Sequence, residues 1–218
     1  MQNPKLSIII THYRTPDILR DCLSVLKKEI NSIGYEIIVA DGETDKRIMS
    51  ELRREYPDVL FIENIENIGF SKLVNQGLEK AQGDFLFVIN ADIITKKEKD
   101  ILDIVDYMEK NTDVGIIGPR LFNINGSVQQ TYFRNYTLLT ILARRTFLGK
   151  TRLGKKILDK FMYKDANMSG PFEPDWILGA AMMMNNKRLV KIGGKFDERF
   201  FMYFEDGYLC RRIKIAGF

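Results

Sequence analysis

The sequence predicts an α/β fold: a mainly parallel sheet flanked by helices, with a smaller mixed region toward the C-terminus. Three observations carry this. Short β-branched apolar runs alternate with helix-period segments through the first two-thirds of the chain. The runs read as buried strands, as in sheets covered on both faces. The 218 residues, 45% apolar and 28% charged, suit one large soluble domain with a sizeable core.

In chain order, "LSIII" (Leu6 to Ile10) is the first strand. A helix follows, with Thr15 as N-cap, Pro16 at its first position, and Leu19, Cys22, Leu23, Leu26 and Ile30 along one face. "EIIVA" (Glu36 to Ala40), "DVLFI" (Asp58 to Ile62) and "DFLFVI" (Asp84 to Ile89) are the next three strands. Helical patterns at Lys46 to Tyr56, Ser71 to Ala81 and Lys97 to Lys110 separate and follow them, and "VGIIG" from Val114 is a fifth strand. Leu121 to Tyr136 reads as irregular or hairpin, and Thr137 to Tyr163 as one or two basic helices. A strand-like run returns at Trp176, followed by a short polar helix, Gly193-Gly194 and a last helix. That helix stops just after its Gly, which leaves open that the chain is a fragment.

Charge is unevenly placed. Arg134 to Lys164 holds nine Lys or Arg against one acid, Asp159, so the rest of the chain is slightly acidic. A local basic block suits phosphates, anionic lipid or an acidic substrate; a nucleic-acid binder is more often basic across a whole face, so no nucleic-acid partner is expected. Cys22 and Cys210 lie far apart without metal-ligand spacing, and there is one His, which argues against a zinc site or a disulfide framework. No apolar run approaches the ~20 residues that cross a bilayer, and the N-terminus is no signal peptide. The expectation is a cytoplasmic protein, in which the sequons at Asn125, Asn135 and Asn167 are chance matches.

Parallel sheets bind ligands beyond the carboxyl ends of their strands. Asp41 follows the second strand and Asp92 closes "NAD" after the fourth, so both point at one crevice. Either alone reads as a loop acid capping a helix; together they suit a divalent cation, a ribose or a base. "THYRTPD" after the first strand lacks the glycines of a dinucleotide loop, and "RRTFLGKT" (Arg144 to Thr151) supplies only half a P-loop. A diphosphate would then need a metal. In "NIENIGFSKLVNQG" (Asn64 to Gly77), Gly69 permits a tight turn and Ser71 is the expected cap of the next helix.

"SIIITHYRTPDILRDCLSVL", "IIVADGETD", "NIGFSKLVNQGLEKAQGDFLFVINAD", "WILGAAMMM" and "GGKFDERFFMYFEDGYLCRRIKIAGF" together resemble the family 2 glycosyltransferases with a GT-A fold, particularly their rhamnosyltransferase-like branch. The resemblance implies a single glycosyltransferase domain over 1–218, with a nucleotide-sugar-binding half over 1–118 and an acceptor and catalytic half over 119–218. It implies that Thr11 and Tyr13 line the nucleotide pocket, that Asp41 recognises the base, and that Asn67, Gly69 and Asn75 lie beside the donor. Asp92 matches the last acid of a metal-binding D-x-D motif whose first position is here Asn90. Asp45 stands in an altered "DGETD", as a ribose or base contact or as a helix cap. Glu205 and Asp206 match the "ED" motif, in which the aspartate is assigned as catalytic base.

The implied cofactor is Mg or Mn, with a nucleotide-sugar donor and a hexosyl or rhamnosyl group transferred to a glycan or lipid-linked acceptor. Inversion at the sugar needs a base for the acceptor hydroxyl and stabilisation of the departing diphosphate. Asp206 beside Phe200, Phe201, Met202, Tyr203 and Phe204 would have dry surroundings that raise its proton affinity, with Glu205 orienting the acceptor. The competing reading makes "FED" a helix start and the aromatics core. Trp176 is a sugar-stacking surface or a buried anchor. The basic segment Arg134–Lys164 is a contact with the inner face of the cell membrane, a solvated face or a homodimer contact. A sugar nucleotidyltransferase is disfavoured by "THYRTPD", and a non-catalytic nucleotide-sugar-binding domain is the alternative.

Overall fold

A computed structural model describes residues 3–165 and 170–218. The Asn167 sequon lies outside the described residues. Residues up to Pro119, together with Gly179–Phe218, make one compact unit; Arg120–Leu178 makes a second.

The first unit is built on a six-stranded sheet. Its strands are β1 (Leu6–His12), β2 (Tyr35–Asp41), β3 (Leu60–Glu63), β4 (Phe85–Asn90), β5 (Ile116–Ile117) and β8 (Ala181–Asn185), ordered β3-β2-β1-β4-β8-β5. β3, β2, β1 and β4 are parallel; β8 runs antiparallel to β4 and β5. Every residue of central β1 is buried, which is why it reads as an unbroken apolar run. The edge strand β3 exposes Leu60. Before β8 come the helices α1 (Pro16–Glu29), α2 (Lys46–Glu55), α3 (Phe70–Lys80) and α4 (Glu98–Lys110); α7 (Asn186–Lys191) and α8 (Glu205–Ile215) follow β8. α1 buries Leu19, Cys22, Leu23 and Leu26 at helical spacing.

The mainly parallel sheet and the Thr15 N-cap are as expected, with two details added. The one strand of this sheet that runs against the others is β8, where the chain returns in the opposite direction. Thr15 stands at the α1 N-cap without a side-chain cap bond; its N–H donates instead to His12 Nε2, 3.0 Å away.

The second unit holds the two-stranded pair β6 (Tyr132–Phe133) and β7 (Trp176–Ile177), with α5 (Leu138–Arg145), a 3-10 turn (Phe147–Lys150) and α6 (Arg152–Phe161). Trp176 stacks on Phe133 with ring centres 4.5 Å apart, also stacks on Tyr136, and donates its indole N–H to the Arg134 carbonyl. These contacts make it the aromatic anchor of this unit. The half P-loop falls on the end of α5 and the 3-10 turn, not on a strand-to-helix loop.

Candidate active site

The carboxyl ends of β2, β1 and β4 and the turn before β8 are joined by a continuous chain of hydrogen bonds. Strand register starts it: His12 lies opposite Asp41, and Thr11 opposite Asn90. His12 Nδ1–H donates to Asp41 Oδ1 across 2.7 Å. Thr11 Oγ1–H donates to Asn90 Oδ1 across 2.9 Å. Asn90 N–H donates to the Ala180 carbonyl, 3.0 Å, and Gly179 N–H donates to Asp206 Oδ2, 3.0 Å. Side chains far apart in sequence thereby share one rim of the sheet.

Asp41 is fully buried. Besides His12, its oxygens accept the Thr44 hydroxyl at 2.7 Å and the N–H groups of Thr44 at 2.8 Å and Glu43 at 3.2 Å. Burial pushes this carboxyl up, but the hydrogen bonds from His12 and Thr44 outweigh it and hold the group below the usual carboxylate range. Because His12 Nε2 accepts from Thr15, the ring carries its proton on Nδ1 and is neutral. His12 is thus part of the rim, and the reading of the sequence missed it. The signal was available: β1 and β2 end together, so the only His in the chain had to face Asp41.

The loop that Asp41 holds leads to Asp45, which caps α2 by accepting from Arg47 N–H at 2.9 Å and is exposed. Asp45, Thr44, Arg14, Asn64 and Ile65 help line an open cleft of about 530 Å³, within the range of small-ligand sites. Tyr13 is exposed at 42%, with the Arg14 guanidinium 5.2 Å from its ring centre.

The loop before α3 is clamped to the segment before α8. Asn67 Oδ1 accepts Gly69 N–H at 3.0 Å, and Phe70 N–H donates to the Phe201 carbonyl at 2.8 Å. Gly69 has φ +84°, and a β-carbon there would sit 2.5 Å from the Phe201 oxygen, so only glycine fits both constraints. Gly69 is also the α3 N-cap; Ser71, expected as the cap, is buried, and its Oγ has no hydrogen-bond partner among the described residues. Asn75 is spent on structure: it donates to the Phe196 carbonyl and Glu198 and accepts from Phe196 N–H.

Glu205 and Asp206 open α8 and are both buried, at 5% and 6% exposure. Asp206 Oδ1 takes Gly207 N–H at 2.7 Å, completing two backbone bonds with that from Gly179. Burial still pushes Asp206 up, against those bonds. Burial raises Glu205 to about 7, with a smaller contribution from the Asp206 charge, and its Oε2 has no hydrogen-bond partner among the described residues. The dryness does not come from the aromatic run. Phe201, Met202, Tyr203 and Phe204 are 46–72% exposed, and only Phe200 tucks in, against Tyr208. Tyr203 and Phe204 take successive left-handed conformations, φ 74° and 71°, which turn the run outward and set the start of α8.

Asp92 is exposed just past β4. Among the described residues no three His, Cys, Asp or Glu side chains group to hold a metal ion. One carboxylate with Asn90 beside it fits a Mg-like cation that takes its remaining ligands from substrate phosphates and water. Cys22 near Asp92 adds no ligand, since burial pushes its thiol up to about 12.

Among the described residues no helix is long and apolar enough to cross a membrane. Residues 7–170 match the family described as Glycosyl transferase family 2. The chain is 26% identical to the rhamnosyltransferase WbbL of Escherichia coli (strain K12), covering 96% of this chain and 77% of that one. It is 34% identical over 120 residues to the teichoic acid poly(glycerol phosphate) polymerase of Staphylococcus epidermidis, covering 53% of this chain and 16% of the polymerase. Among solved structures, a Pyrobaculum calidifontis mannosyltransferase in complex with GDP-Man and Mn2+ superposes with TM-score 0.63 at 15% identity. This chain is covered completely in that match, and spans 54% of the mannosyltransferase. S. aureus TarS 1-349 in complex with UDP gives 0.62 at 18% identity, over 97% of this chain and 55% of that one. The family match over three-quarters of the sequence, and a fold shared with these solved structures, lead to one conclusion: the chain belongs to glycosyl transferase family 2 and carries the GT-A fold.

Proposed function

We propose that this domain transfers a sugar, with inversion, from a nucleotide-sugar donor to a hydroxyl of a glycan or lipid-linked acceptor in cell-surface polysaccharide synthesis. The observation that carries the proposal is the bond from Gly179 to Asp206, which ties a buried carboxylate to the strand end bearing Asn90 and Asp92. Asp206 is the base that takes the acceptor proton, and burial raises its proton affinity above that of an ordinary carboxylate, in the direction that task needs. Glu205, raised to about 7 by burial, stands at the same helix start and orients the acceptor.

The nucleotide lies over the cleft beside Asp45, Tyr13 and Thr44. Asp41 serves it indirectly, by fixing the 41–45 loop. Asp92 and Asn90 would hold a Mg or Mn ion against the diphosphate, and that ion would supply charge stabilisation for the leaving group. The clamped Asn67–Phe70 loop keeps the donor side fixed against the acid pair. The GDP-Man, Mn2+ and UDP complexes of fold neighbours support a nucleotide-sugar donor, and the rhamnosyltransferase relative supports a hexosyl or deoxyhexosyl group. A cytoplasmic location, at the inner membrane face for a lipid-linked acceptor, follows from such donors being made inside the cell.

A thermal-shift screen of nucleotide sugars with and without Mg or Mn tests this. A donor that raises the melting temperature only with the cation, and is consumed by wild type but not by Asp206→Asn, is expected. Donor binding without transfer to any acceptor would favour a non-catalytic nucleotide-sugar-binding domain.

A further inference from the structure

The α5 helix wears its apolar stripe on the outside. Thr140 and Ala143 are its buried positions. At 100° per residue the opposite face carries Leu138, Ile141, Leu142 and Arg145. The three apolar members are 73%, 47% and 39% exposed. Beyond the helix, Phe147 and Leu153 are 75% and 70% exposed. A helix facing water normally shows the reverse order.

α6 adds exposed charge to the same hairpin. It buries Gly154 and Phe161, and the face opposite them carries exposed Arg152 and Lys156 together with half-buried Asp159, with Lys155 and Lys160 exposed at its flanks. The helices are closely joined: a β-carbon on Gly149 would strike the Ala143 carbonyl oxygen, and one on Gly154 the Leu148 carbonyl oxygen. Thr137 and Thr151 cap the two helices with their own side chains, so the hairpin is formed before anything covers it.

We propose that the α5–α6 hairpin docks on an anionic bilayer, with Leu138, Ile141, Leu142 and Phe147 entering the headgroup and acyl boundary and Arg145, Arg152 and Lys156 resting on lipid phosphates. Large apolar side chains beside clustered Arg and Lys, on a helix too short to span, are what interfacial binding requires. Charge selects this occupant. Nine basic residues against one acid from Arg134 to Lys164 attract a negative surface and repel a second copy of themselves. The inference does not depend on glycosyl transfer, since binding is read without turnover.

The test is co-sedimentation of the full chain with vesicles of phosphatidylcholine alone or mixed equally with phosphatidylglycerol. Wild type is expected to sediment with the mixed vesicles, not with phosphatidylcholine alone, and to be released by added salt. Leu138→Asp with Ile141→Asp should lower partitioning by roughly 10-fold or more. Arg145→Glu with Arg152→Glu and Lys156→Glu should abolish the preference for anionic lipid. Emission from Trp176, the chain's only Trp, reports whether the second unit remains folded in each variant. Wild type staying in the supernatant with mixed vesicles would overturn the proposal. So would folded variants that bind as wild type does, or an apolar-stripe variant that changes only the self-association seen by sedimentation equilibrium.

Discussion

Gly179 N–H donates to Asp206 Oδ2 across 3.0 Å, so the residue two before β8 holds the second residue of α8. An amide oxygen can keep that bond but cannot take a proton. The amide NH2 cannot accept the Gly207 N–H that Oδ1 takes, so Asp206→Asn gives up one of its two backbone bonds and some stability; on protein that remains folded, donor binding is expected to persist while transfer to acceptor falls ~10²- to 10⁴-fold. Steady-state kinetics with a donor-binding titration checks this; an active Asp206→Asn would remove the assigned base.

Glu205 gives a pH signature. Its folded value of about 7 lies above the ordinary 4.5, so its contribution to stability is full below about pH 4.5 and is lost as pH rises through about 7. Glu205→Gln keeps the shape of the protonated form and does not ionise. From about pH 5 to about pH 8 the variant should gain stability relative to wild type, by on the order of 3 kcal/mol at most. Paired melting curves across that range measure the difference; a flat difference refutes the burial argument.

Gly69→Ala puts a methyl group against the Phe201 carbonyl at a backbone angle that L-residues rarely adopt. A loss of about 2 kcal/mol or more in denaturant unfolding is expected, together with weaker donor binding as the clamp opens.

Removing the Asp41 carboxylate strands the donors on His12, Thr44 and Glu43 inside the protein. Asp41→Ala should cost roughly 3 kcal/mol or more of stability. Because the 41–45 loop moves with it, nucleotide affinity should fall too, measured by calorimetry on protein that remains folded.

With one exposed carboxylate and an amide at the implied cation site, Mn alone should bind weakly, and tightly only once a nucleoside diphosphate is present. Electron paramagnetic resonance of Mn with and without UDP or GDP distinguishes the two. Asp92→Ala should erase the synergy while leaving the cation-free nucleotide affinity in place.

The fold was legible because its signals are local. Apolar runs such as Leu6–Ile10 mark buried strands, and Pro16 with its periodic Leu and Cys marks α1. What escaped depends on partners remote in sequence. Asp41 reads as a helix-capping loop acid, or with Asp92 as a ligand of a cation, ribose or base, until the β1–β2 register brings His12 beside it. Ser71 reads as a cap until the Phe201 carbonyl draws the chain in and leaves Gly69 in that place. The aromatic run before Glu205 reads as core or as a dry wall, and two successive left-handed residues, which no local propensity favours at Tyr203 and Phe204, expose it instead.

Strands β5 and β8 are hydrogen-bonded neighbours, yet almost sixty residues, Arg120–Leu178, separate the stretches to which they belong. That long excursion leaves and rejoins the scaffold at adjacent points. Exchanging it for another sequence would leave every strand pairing of the six-stranded sheet intact, along with the hydrogen-bonded rim from Asp41 to Asp206. The excursion can thus change in sequence and length while the scaffold it leaves and rejoins stays the same.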